Sequence, residues 1–313
     1  MKEEGRINIS TIVGKRCLNI IFVLLNSEMK VVPVHIANFK IDGGAMFGVI
    51  PKTLWNRRYP SDEDNLITLS LRSLLIDNGE NLILIDNGWG DKQDKKFFSH
   101  VRLSGGDGLG GGIVKAGYTP EQVTDVILTH LHADHCGGSV KWNRDRTGYE
   151  LTFPDANYWV SRTQWEWAAD PNPREAGSFL EENLLPIMHS GHLNFVDDEG
   201  ELFRGVSIKV VNGHTPGQLI PLIEYRGRRI VFTADLMPTV AHIPLIWNMG
   251  YDIDQLATIR EKRALLTESF ENGSILFFEH DVFTECCTLK ETPKGIREDR
   301  LFSFSEIEDI ISA

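Results

Sequence analysis

The chain has 313 residues, a formal net charge of -12 and 42% apolar residues. That length suits one large domain or two small ones with a substantial core, and the acidic balance argues against a phosphate backbone as partner, since nucleic-acid binders carry a basic footprint. Four cysteines, Cys17, Cys136, Cys286 and Cys287, have no repeated C-x-x-C spacing, which excludes a disulfide scaffold and points to reduced thiols in a cytoplasmic protein.

Residues 17–25 form a short apolar run behind Lys15 and Arg16. The run is too short to span a bilayer and no small-x-small cleavage site follows it, so residues 1–28 read as an N-terminal extension and residues 29–313 as a single domain with no membrane partner. Strand-like runs come next at 31–39, 66–76 and 82–85, with Asp77-Asn78-Gly79-Glu80 as a hairpin turn. Gly106-Asp107-Gly108-Leu109-Gly110-Gly111 formally matches the dinucleotide fingerprint GxGxxG. No convincing strand precedes it and so many glycines weaken a helix, so a mobile loop is expected, acting as a lid if it has a function. Thr119-Pro120-Glu121-Gln122 carries the signals of a short capped helix that feeds the next strand.

That strand, Val126-Ile127-Leu128, runs into Thr129-His130-Leu131-His132-Ala133-Asp134-His135-Cys136-Gly137-Gly138. His130 and His132, two apart, project from one side of the strand end, and the turn brings Asp134 and His135 to the same mouth. Cys136 reads as a small buried residue of the turn. A strand at 158–160, a helix at 163–169 closed by Asp170-Pro171-Asn172-Pro173 and a second helix at 177–189 follow. Strands and turns fill 202–233, and Leu256, Ile259, Ala264, Leu265 and Phe270 space an amphipathic helix before a final strand. Three apolar runs in this half end in metal-competent side chains: 208–211 leads to His214, 230–234 to Asp235, and 275–279 to His280. Four donors in one turn already satisfy a tetrahedral ion, so these additional ones indicate a site for two metals. His35, His100, His189, His192 and His242 stand outside the set.

The order HxHxDH, His, Asp, His in these strand contexts resembles the metallo-β-lactamase superfamily over roughly residues 30 to 285. The resemblance implies an α/β fold, an αββα sandwich, which suits two β-rich halves flanked by helices. It assigns His130, His132 and His214 to a first divalent ion, Asp134, His135 and His280 to a second, and Asp235 to both, with zinc favoured. Ile83-Leu84-Ile85-Asp86-Asn87-Gly88 is similar to the family's strand ending in Asp-x-Gly, so Asp86 is expected to orient a ligand histidine. Two such ions about 3.5–4 Å apart share a hydroxide that attacks an electrophilic centre, with Asp134 and Asp235 as catalytic carboxylates.

Within the superfamily, residues 42–55, from Asp42-Gly43-Gly44-Ala45-Met46-Phe47 to Trp55, resemble the YtnP-type quorum-quenching lactonases, as do Ala234-Asp235-Leu236-Met237-Pro238-Thr239 and Ala241-His242-Ile243-Pro244. This implies opening of a lactone ring, N-acyl homoserine lactone first among candidates. Aryl esters, phosphotriesters, glyoxalase II-like thioesters and a catalytically silent metal-binding module stay open as alternatives. One departure stands out: Pro238 occupies the place of a tyrosine found in acyl-homoserine lactonases, which leaves Tyr251 as a candidate phenol donor. Met46, Phe47, Leu236, Met237, Ile243 and Trp247 are candidates for an acyl-chain pocket. The expected partner is a small ester or lactone, and a homodimer through the N-terminal region fits the family.

Overall fold

A computed structural model of the chain describes residues 29–312. The expected N-terminal extension, with Cys17 and its apolar run, lies outside them. The first half supplies β1 (Lys30–Asp42), β2 (Leu66–Asp77), β3 (Leu82–Ile85), β4 (Asp125–Ile127), a small hairpin of β5 (Val140–Trp142) and β6 (Tyr149–Leu151), then β7 (Asn157–Ser161) and β8 (Leu193–Val196). The second supplies β9 (Gly200–Phe203), β10 (Val206–Val211), β11 (Gln218–Tyr225), β12 (Arg228–Phe232), β13 (Ile275–Phe277), β14 (Cys286–Thr292) and β15 (Gly295–Phe302).

One sheet runs β1-β2-β3-β4-β7-β8 and the other β15-β14-β13-β12-β11-β10-β9. In the first, β3, β4, β7 and β8 are parallel, and in the second β12 and β13 are. Parallel strands need both faces covered, and β3 shows how the sequence meets that need. Ile83 and Ile85 face the core between the sheets with Leu74, Ile76 and Ile127, while Leu82 and Leu84 join the outer core under the helices with Val126 and Tyr158. Truncating one such Leu or Ile to Ala costs about 2–5 kcal/mol. The outcome is the expected αββα sandwich.

Local readings fared unevenly. The hairpin turn at 77–80 and the Thr119 capping box are in place, the latter closing a 3-10 turn, Pro120–Gln122, ahead of β4. The glycine-rich stretch is not all loop, because Leu109–Lys115 is helical. A Cβ on Gly112 would sit 2.6 Å from Val34 Cγ1, and one on Gly106 2.2 Å from the Ile36 carbonyl oxygen, so the glycines let this segment lie directly on β1. The second helix starts at Glu181 and not at 177, since the Ser178 carbonyl is spent on the Ala133 amide.

Helix Gln255–Glu271 forms, yet its buried face is Ala257, Thr258, Lys262, Leu265, Leu266 and Ser269, with Leu256 exposed. Lys262 turns inward because its ammonium donates to the carbonyls of Pro244 and Trp247 and to Asn248 Oδ1. Nor is the strand at 275 the last: β14 and β15 follow it.

Candidate metal centre

Every donor in the cluster sits just past the C-terminal end of a strand. β4 delivers His130 and His132, β10 delivers His214, β12 delivers Asp235 and β13 delivers His280. The turn after His132 is a short helix, Ala133–Cys136, carrying Asp134 and His135. Asp86 follows β3 with φ +53° and Ala234 precedes Asp235 with φ +42°. Non-glycine residues seldom adopt that left-handed region, and such strain is held by its surroundings where a side chain must be aimed.

The structure brings the expected donors into two groups, His130, His132, His214 and Asp235 in one and Asp134, His135 and His280 in the other, the ligand atoms of each lying within 4.8 Å of one another. Asp235 belongs to both: its Oδ2 is 3.3 Å from His214 Nε2 and 3.6 Å from His135 Nε2, and its Oδ1 is 3.3 Å from His280 Nε2.

The outer nitrogens explain the inner ones. His280 Nδ1 lies 2.8 Å from the Ser70 carbonyl, His214 Nδ1 3.1 Å from Asp252, His135 Nδ1 3.0 Å from Asp86 and 3.1 Å from Glu279, and His130 Nδ1 3.1 Å from Thr129 Oγ1. His132 is reversed, its Nε2 lying 3.3 Å from Glu175. With each outer N–H donated to these acceptors, the inner nitrogen of each ring is the one left to hold a proton or a metal ion. These inner nitrogens face each other at 3.1 Å for His130 and His132, 3.2 Å for His132 and His214, and 3.2 Å for His135 and His280. Asp235 Oδ1, also buried, has no hydrogen-bond donor. Converging lone pairs beside an unpartnered buried carboxylate oxygen repel unless a cation sits among them, so these residues fit divalent metal ions.

The protonation energetics agree. Burial drives His130 and His132 below the ordinary imidazole range. Burial also opposes charge on His280, but Asp235 and Glu279 overcome it and push this imidazole up to about 9. Asp235 is held well below the usual carboxylate range against its own burial by His135, His280 and His214. Positive charge is favoured at the histidines facing Asp235 on the His280 side and disfavoured at His130 and His132.

Several supporting groups escaped the sequence reading. Glu175 accepts from the indoles and amides around it, Trp167 Nε1 at 2.7 Å and Asn172 Nδ2 at 2.8 Å, as well as facing His132. Asp86, expected from the sequence to face a ligand histidine, accepts in addition from the Thr129 amide and hydroxyl at 2.8 and 2.6 Å. Asp86, His135 and Glu279 also form a compact trio, in which His135 Nδ1 faces both carboxylates while Thr129 donates to Asp86. Buried Arg72 of β2 donates to the Phe278 and Asp281 carbonyls at 2.7 and 3.1 Å, clamping the loop that carries His280. Glu279 alone had a local signal, standing beside His280. Cys136 is buried, its thiol facing the Leu131 carbonyl, as its neighbours in the turn suggested.

A cavity of about 510 Å³ opens over the cluster. Met46 and Tyr251 line it, with Phe39, Trp89, Phe97 and Arg174. Phe47 lies behind the wall, stacked on Trp55 and His242, while Met237, Leu236 and Ile243 are buried in the core between the sheets and Trp247 packs edge-on to Phe47. Gly105, Gly108 and Gly110 line a different cavity and none of the glycines from 105 to 112 lines this one.

The family model of the metallo-beta-lactamase superfamily matches residues 72–269, more than half of the chain. The chain belongs to the metallo-β-lactamase superfamily. It is a metal-dependent hydrolase of that superfamily. An N-acyl homoserine lactonase of Bacillus cereus is 26% identical over 237 residues, covering 71% of this chain and 85% of the relative. A probable metal-dependent hydrolase from Staphylococcus aureus superposes with a TM-score of 0.80 at 27% identity, covering 88% of this chain and 96% of that one. AidC, a dizinc quorum-quenching lactonase solved with the product N-hexanoyl-L-homoserine, gives a TM-score of 0.73 at 20% identity over 88% of this chain and 95% of its own. The last comparison speaks for the fold alone. No helix among the described residues is long and apolar enough to cross a membrane.

Proposed function

We propose that this superfamily hydrolase is a dinuclear lactonase acting on N-acyl homoserine lactones. The observation that supports the dinuclear part is Asp235, whose Oδ2 lies between His214 and His135 while its Oδ1 faces His280, so that one carboxylate adjoins both groups. In this reading His130, His132 and His214 hold one ion, Asp134, His135 and His280 the other, and Asp235 both. When bound, two divalent ions, zinc by preference, supply an activated water and a Lewis acid at neutral pH. Asp134 would help to hold its ion and would carry the proton lost by the attacking water to the ring oxygen as its bond to the carbonyl carbon breaks. Tyr251 replaces the tyrosine missing at Pro238: burial, with Asp134 and Asp42, pushes its hydroxyl up to about 12, so it stays a donor for the ring carbonyl. Phe39, Met46 and Phe97 receive the acyl chain. The lactone itself is suggested by what the relatives and structural neighbours are named for.

Three buried free thiols, Cys136, Cys286 and Cys287, support a cytoplasmic location, and a single catalytic domain over 29–313 and a homodimer belong to the same reading. The test is pH-stat hydrolysis of butanoyl and dodecanoyl homoserine lactones by zinc-loaded protein beside His132→Ala and Asp235→Ala variants. Metal-dependent acid release that both variants abolish is the expected result. Two ions per chain with neither lactone opened would overturn the substrate, and thioesters and phosphotriesters would be assayed next.

A further inference from the structure

A second cavity of about 480 Å³ lies beside the one over the metal cluster, and Trp89 lines both. We propose that this second cavity is the tail compartment of the substrate site and takes the distal end of a long, unbranched acyl chain, an inference that rests on the lactonase reading above.

The floor is continuous. Phe39 of β1 and Leu69 of β2, cross-strand partners, line the metal-side cavity, while Ala37 and Leu71, the next pair along, line the second. Alternate residues of neighbouring strands share a face, so one apolar surface passes under both cavities. The covering chain is continuous too: Phe97 and Val101 line the first cavity, and Leu103 and Leu109 the second. The glycine-rich segment is therefore the cover over the second cavity, held against β1 through Gly106 and Gly112.

Trp89 is the partition. It stands between Gly88 and Gly90, at φ +74° and +68°, and its buried indole N–H has no acceptor. Ring edges from Phe39 and Phe97, with centroids 5.9 and 5.4 Å away, hold it in place of a hydrogen bond. Such a ring can turn aside without breaking a polar contact, and turning it joins the cavities. From Ile41 to Ala37 the floor extends about 13 Å along β1, a length that a long acyl chain exploits and a butanoyl group does not.

Two variants test this on zinc-loaded protein: Ala37→Phe fills the second cavity from its floor, and Trp89→Ala removes the partition. Calorimetry with ring-opened N-butanoyl- and N-dodecanoyl-homoserine reads binding without turnover, alongside kcat/KM on the two lactones. The wild type should bind the dodecanoyl compound about tenfold or more tighter, from the added apolar burial. Ala37→Phe should erase most of that ratio and Trp89→Ala increase it. A ratio indifferent to both variants overturns the tail compartment even if the lactones are hydrolysed. A ratio that collapses in Ala37→Phe while no lactone opens supports the compartment and removes the lactonase reading. If Ala37→Phe does not fold, Trp89→Ala decides alone.

Discussion

Histidine tautomers in the cluster are chosen from outside it. Glu175 faces Nε2 of His132 where the other four histidines present Nδ1 outward, so His132 alone points Nδ1 inward. Glu175→Gln keeps the size of the side chain and loses its charge, and partners of this kind typically govern metal affinity by about 10–100-fold. Chelator competition on the variant should show a loss of that order. Unchanged affinity would make Glu175 a mere acceptor for Trp167 and Asn172. Tyr251→Phe removes a single hydroxyl from the cavity wall, and losing one such donor costs on the order of 10²-fold in kcat. Because the phenol titrates only at about 12, the wild-type and variant pH profiles should be parallel between pH 6 and 10. A limb present in one and absent in the other would show a different ionisation at work.

At the level of elements, catalytic geometry depends on how the loops leaving the strand ends are pinned to neighbouring helices. The loop after β10 crosses the first turn of helix Gln255–Glu271: a Cβ on Gly213 would lie 2.3 Å from the Thr258 amide nitrogen. Glu261 of the same helix accepts from the Asn212 and Gly213 amides, both at 2.9 Å. Gly213→Ala must push loop and helix apart, a strain of about 1–3 kcal/mol. His214 moves with the loop, and its Nδ1 leaves Asp252. A lower Tm together with weaker zinc binding is the expected pair of results; a fall in Tm with zinc affinity intact would show that the His214 loop is not held by this contact.

His242 ties the second half of the molecule to the first through the Met46 carbonyl, and its burial as a neutral ring makes folding sensitive to pH. The imidazole Nε2–H donates to the Met46 carbonyl at 2.9 Å and Nδ1 accepts from Thr239 Oγ1 at 2.8 Å, so the neutral ring fills both roles. Burial, only partly offset by the Met46 bond, lowers it to about 3. An unfolded histidine takes up its proton near 6.5, so between pH 3 and 6.5 the unfolded chain binds more protons than the folded one. This contribution is complete above about pH 6.5 and is lost as pH falls towards 3, with a ceiling of several kcal/mol at about 1.4 kcal/mol per unit. Urea unfolding at pH 7 and pH 4.5 should show a smaller drop for His242→Gln than for wild type. An equal drop in both would mean the ring is not the sensor.

Chain order pointed to metal chemistry, because His130, His132, Asp134 and His135 lie within six residues and His214, Asp235 and His280 each follow a strand-like apolar run. The αββα architecture was legible through the family resemblance those donors carry and through two β-rich halves flanked by helices; β3, buried on both faces, is one of its unbroken apolar runs. The surroundings of the donors were not legible. Ser70 supports His280 from 210 positions away and Asp252 supports His214 from 38, separations at which no local pattern survives. Phe47 and Met46 are adjacent and alike in sequence, yet one is sealed against His242 and the other lines the cavity. The glycine-rich stretch looked like a flexible loop, yet Gly106 and Gly112 fit tightly against β1. Ligand type is a property of residues close in the chain, whereas cavity walls, tautomers and close glycine contacts are set by which distant backbones meet.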